Sequence, residues 1–193
     1  MTRTRTHPKA RLPFAHAWLI TALAAAGLVP LAGPVPRAWA DEVAQALADC
    51  QDDDKVAELR ARACTFLINT RSIDANIRAE ALLNRGIVQL EAANADAALA
   101  DYTQAIELNP EYPALYSHRA EAYQDTGQLG LALADLSTVI RLLPDDADGY
   151  ADRGELHFKL GDRDKAVSDF RAALKLEPGH EQAREGLRSL GVR

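Results

Sequence analysis

Along residues 82–90, LLNRGIVQL, apolar and small side chains recur at Leu82, Leu83, Gly86, Ile87 and Leu90. This is the spacing of one face of a helix. Arg85 interrupts that stripe, and an arginine before a small residue returns at Arg119–Ala120 and Arg153–Gly154. A second amphipathic stretch is 181–190, EQAREGLRSL. It sets Ala183, Leu187 and Leu190 against Glu181, Arg184, Glu185 and Arg188. Residues 42–50 and 54–69 predict two helices around QDDD. Asp52 to Asp54 are expected to supply the N-cap and first-turn acids of the second helix.

The pattern repeats at one fixed interval. Pro110, Pro144 and Pro178 form one column, and Gly86, Ala120 and Gly154 another. Ala98, Ala132 and Ala166 are a third, and Leu108, Leu142 and Leu176 a fourth. Tyr102, Leu136 and Phe170 make a fifth, and Ala105, Val139 and Ala173 a sixth. Six columns at one period predict stacked units of one kind. Small residues allow close helix approach, and each proline falls beyond a helix end, where its missing N–H costs little. Gly127 and Gly161 are expected to end first helices in the left-handed conformation, with Asn94 doing so in the first unit.

These columns resemble the tetratricopeptide repeat, a helix-turn-helix unit of about 34 residues. Leu82, Tyr116 and Tyr150 stand at the bulky first-helix position of that pattern. The departures are Gln89 and His157 at the first-helix aromatic position, and arginine at the leucine position throughout. The resemblance implies an all-α superhelix with repeats at 79–112, 113–146 and 147–180. A leading helical hairpin at 41–78, an irregular half-repeat, and a polar capping helix at 181–193 complete the array. It also implies a concave groove lined by the first helices. The positions expected to face it are Leu83, Asn84, Ile87 and Leu90, then Ser117, His118 and Glu121, then Asp148, Asp152, Glu155 and Phe158. The groove is therefore expected to be apolar at one end and acidic at the other; the alternative for Leu83, Ile87 and Leu90 is cover by the leading hairpin. The family's basic clamp for peptide C-termini has only Asn84 to suggest it here.

Composition alters the picture at the N-terminus. Residues 1–40 hold Arg3, Arg5, Lys9, Arg11 and Arg37 and no acid, then an apolar run ending in Ala38-x-Ala40. This is the layout of a secretory signal peptide. Its removal would leave 17 basic against 28 acidic side chains, a net charge near −11. Such a chain is not expected to bind nucleic acid or, once the signal is removed, to enter a membrane. Cys50 and Cys64 are the only cysteines, and in an exported chain they are expected to form a structural disulfide. The leader and the bacterial style of the repeats imply an exported, periplasmic protein; the alternative is an N-terminally anchored one, with the leader uncleaved.

No catalytic constellation is present. HExxH, GxSxG and a glycine-rich phosphate loop are all absent, so neither enzyme activity, cofactor nor metal is expected. His118, His157 and His180 read as solvated or half-buried side chains. The expected function is a scaffold binding a protein or peptide in the groove. The alternative is a self-associating structural module forming a homo-oligomer. A thiol-redox or metal-handling role rests on the two cysteines alone. Asp101, Asp135 and Asp169 follow Arg85, Arg119 and Arg153 at one constant interval, on the second helix of the same unit. Three ion pairs are thus expected, Arg85–Asp101, Arg119–Asp135 and Arg153–Asp169, as skeleton and not as a ligand site.

Overall fold

A computed structural model describes residues 37–192. The predicted signal segment lies outside the described residues except for 37–40. Asp41–Arg193 is one compact unit. Among the described residues the chain forms nine helices and no strand. They are α1 (Arg37–Gln51), α2 (Ala57–Asn69), α3 (Ala75–Glu91), α4 (Ala95–Leu108), α5 (Pro113–Asp125), α6 (Leu129–Leu142), α7 (Ala147–Lys159), α8 (Arg163–Leu176) and α9 (Glu181–Ser189). From α2 onward each helix packs on the next, and α3 also meets α5 while α7 meets α9. This is the one-dimensional contact pattern of a helical superhelix built from repeats.

The local signals sit where the periodicity requires them. Asp74 caps α3 by accepting the Asn76 N–H at 2.7 Å. Pro113 opens α5, and Asp146 caps α7 through the Asp148 N–H. Pro110, Pro144 and Pro178 each follow the C-cap of a second helix, Asn109, Leu143 and Glu177. Two of these junctions carry one further tie: the Tyr116 and Tyr150 hydroxyls donate to the carbonyls of Pro110 and Pro144 at 3.0 and 3.2 Å.

Two local expectations are corrected. The left-handed residue of the α3–α4 turn is Ala93, at φ 60°, not Asn94, at φ −95°. Ala93 stands one repeat before Gly127, which has φ 73°. The period therefore dictates the conformation even where the residue type disfavours it. Asp52 to Asp54 do not cap α2, whose N-cap is Val56. Asp52 instead accepts the Asp54 N–H at 3.0 Å, closing a tight turn one step too early for the helix. Asp53 places Oδ1 2.9 Å from Arg60 Nη2, a charge contact without hydrogen-bond geometry.

The core columns explain one another. A Cβ on Gly86 would lie 2.4 Å from the Tyr102 ring, and one on Gly154 3.0 Å from Phe170. Ala120 carries that methyl in the unit where the facing column holds the smaller Leu136. The alanines at 98, 132 and 166 are fully buried. The period also runs one unit further upstream. Cys64 and Ile68 stand one repeat before Ala98 and Tyr102. Cys64 is fully buried, and Ile68 packs on the first core cluster.

Candidate functional site

The recurring arginines have one geometry in all three units. Arg85 donates from Nε and Nη2 to the two carboxylate oxygens of Asp101, at 2.8 and 2.7 Å. Arg119 does the same to Asp135 at 2.8 Å for both bonds, and Arg153 to Asp169 at 2.9 Å for both. These are bidentate, charge-assisted pairs. The bond to its aspartate raises each guanidinium's pKa, against burial, which lowers it. A third bond from each arginine goes backwards along the chain. Arg85 Nη1 donates to Thr65 on α2, Arg119 to Thr103 on α4 and Arg153 to Ser137 on α6, at 3.1, 3.4 and 3.2 Å. Each guanidinium therefore joins three helices. Arg119 also lies 5.7 Å from the Tyr116 and Tyr123 ring centroids, within cation–π range. With every nitrogen engaged, these arginines serve the skeleton.

Cys50 and Cys64 form a disulfide with their Cα atoms 4.9 Å apart, joining α1 to α2. Among the described residues no group of His, Cys, Asp and Glu is placed to hold a metal. No described helix is long and apolar enough to cross a membrane.

The expected groove residues divide into two sets. Leu83 belongs to the core: it is 6% exposed and packs with Leu82, Ala79 and Leu115. Ile87 and Leu90 are half-buried against the same cluster, beside Ile68 of α2. The apolar end expected of the groove is thus largely covered by protein. Asn84 and Ser117 are half-buried on α3 and α5. His118 stacks on Tyr102, with ring centroids 6.0 Å apart, and its Nδ1 lies 3.7 Å from Glu121. The Tyr102 hydroxyl is buried without a hydrogen-bond partner. Burial first, then the charge of Glu121, pushes that phenol's pKa well up.

The acidic end is a connected network. Asp148 pairs with His180 Nε2 at 2.8 Å. His180 Nδ1 accepts the Ala183 N–H and caps α9, so the proton of the neutral ring sits on Nε2. Gln182 donates to Asp152 at 3.2 Å and to Glu155 at 2.8 Å. Lys159 reaches both Glu155, at 3.4 Å, and Gln124 of α5, at 3.2 Å. Phe158 stands next to these groups and is 41% exposed. His157 and His180 are buried, contrary to the expectation of solvated or half-buried rings. The sequence reading missed the parts played by Lys159, His180 and Gln182. The one available signal was that Gln182 stands one repeat after Asp148, which extends the groove column into α9.

Comparison with known proteins fits this geometry. A model described as TPR repeat matches residues 94–127, and one described as tetratricopeptide repeat matches 147–180. The first match begins on a second helix and the second on a first helix, as a continuous stack permits. No curated relative matches the chain. Among solved structures, a tetratricopeptide repeat protein from Parabacteroides merdae is similar at TM-score 0.69 and 21% identity, covering 76% of this chain and 57% of that one. The first TPR of Spaghetti (RPAP3) bound to HSP90 peptide SRMEEVD is similar at TM-score 0.57 and 27% identity, covering 60% of this chain and 92% of that one. MamA protein is similar at TM-score 0.65 and 18% identity, covering 79% and 85%. The repeat columns, the helix stacking and these matches agree: the chain carries tetratricopeptide repeats.

Proposed function

We propose that this protein is an exported, periplasmic interaction scaffold. Its groove takes a polypeptide with an apolar anchor flanked by lysine or arginine. The proposed array is a hairpin at 41–78, repeats at 79–112, 113–146 and 147–180, and a capping helix at 181–193. One observation carries the specificity: Gln182 of α9 bonds both Asp152 and Glu155, which gathers two acids of α7 on the helix that also bears Asp148 and exposed Phe158. Such a face favours a basic partner by charge complementarity. The similar RPAP3 domain has the acidic sequence SRMEEVD as its peptide. Here the acids would repel a segment of that kind. Export is supported by the leader-like N-terminal sequence and by the disulfide, which persists in oxidising compartments. The test compares fluorescein-labelled peptides carrying lysine or glutamate around one leucine, on the natural protein and on Asp152→Lys. Preference for the lysine peptide, reduced by Asp152→Lys, is expected. Preference for acidic C-termini, unmoved by the substitution, would overturn the reading.

A further inference from the structure

The acidic face already holds a cation. Lys159, the last residue of α7, sets its ammonium 3.2 Å from the Gln124 carbonyl oxygen on α5 and 3.4 Å from Glu155 Oε1. The other oxygen of Glu155 receives the Gln182 amide at 2.8 Å, so α9 holds the carboxylate from the opposite side. Three helices thus assemble a seat for an ammonium. Its acceptors are one carboxylate oxygen and one amide oxygen.

The occupant is weakly held. The Lys159 side chain is 49% exposed, and an ion pair that open to solvent contributes little. Its stem is flexible, and leaving the seat returns a strongly hydrated ammonium to water. A cation from another polypeptide would find the same two acceptors. An arginine could reach both at once, because its planar fork presents separate donors.

We infer that Lys159 is a resident stand-in for a partner's basic side chain. Binding exchanges one cation for another at Glu155 and Gln124. This rests on the reading that the acidic face receives a basic polypeptide, and it assigns that reading a subsite and a built-in competitor. Affinity is held down because each binding event must first evict Lys159.

The test measures fluorescence anisotropy of the lysine and glutamate peptides on the natural protein, Lys159→Met, Lys165→Met and Glu155→Gln. Lys165 makes its ion pair with a different carboxylate, Asp162, and controls for the loss of one positive charge. Lys159→Met is expected to bind the lysine peptide about two- to fivefold more tightly. Lys165→Met should stay within about 1.5-fold of the natural protein at physiological salt. Glu155→Gln should weaken binding. If Lys159→Met shifts affinity no more than Lys165→Met, or weakens it, the stand-in is overturned, while a loss in Glu155→Gln keeps the basic-partner reading. If Glu155→Gln changes nothing and the glutamate peptide binds equally well, that reading falls as well. Lys159 is exposed enough that its substitution leaves the fold intact, which thermal unfolding checks.

Discussion

From α3 to α8 each helix pair is closed by a guanidinium that grips its own second helix and the preceding one. In the leading hairpin the same columns hold Gln51 in place of arginine and Leu67 in place of aspartate. There a disulfide joins the helices, at Cys50 and Cys64. Cys64 occupies the alanine column and Cys50 the column of Asn84, His118 and Asp152. The hairpin keeps the spacing of the array and replaces its noncovalent tie with a covalent one. The two ties work differently. A disulfide chiefly limits the unfolded chain, whereas a semi-buried ion pair fixes geometry and becomes costly when one partner is lost.

The comparison breaks first at Arg119. Its replacement by alanine leaves Asp135, 5% exposed, without its partner. A loss of roughly 3–4 kcal/mol in denaturant unfolding is expected. Arg184→Ala, on the exposed face of α9, should stay within about 0.5 kcal/mol. Equal midpoints for the two variants would remove the distinction between skeletal and surface arginines.

The covalent tie comes next. Replacing Cys50 and Cys64 with alanine should cost roughly 3 kcal/mol on the chain-entropy account. The loss should be confined to the hairpin. Amide exchange is expected to speed up in α1 and α2 while α4 to α8 keep their protection, the behaviour of a stack coupled through neighbours. Acceleration spread evenly over all helices would mean that the hairpin and the repeats are one cooperative body.

The smallest effect sharpens the periodicity itself. Ala93 adopts the left-handed conformation that Gly127 and Gly161 adopt at the same place. Ala93→Gly should raise stability by about 1 kcal/mol, read as a higher unfolding midpoint. A neutral or negative change would show that the first turn tolerates its alanine through contacts the glycine turns lack.

Much of this was legible from spacing. The columns at Ala98, Tyr102 and Pro110 identified the units, and the constant interval from arginine to acid named each arginine's aspartate. What escaped was the third bond of each arginine. Thr65, Thr103 and Ser137 lie on the preceding unit, and a hydroxyl midway along a helix reads as solvent-facing. Ala93 escaped because alanine signals helix, and the φ it adopts is set by its neighbours in the stack. For Leu83 the sequence left groove and cover by the hairpin both open, because apolar residues serve either; in the structure it lies in the cluster against which Ile68 packs. The bonds of the α7 acids escaped because their partners, His180 and Gln182, come from a segment that reads only as a polar cap.

The backward bond has a consequence for how such a chain can change length. Each repeat supplies a guanidinium to the unit before it, and the first two supply a hydroxyl to the unit after. Excising residues 113–146 in frame would bring Arg153, with its own Asp169, to Thr103, and the seam would be chemically the same as before. Duplicating that segment would likewise leave every donor with an acceptor. A gene built this way can gain or lose a unit by unequal recombination without exposing the protein to an unpaired buried charge at the junction.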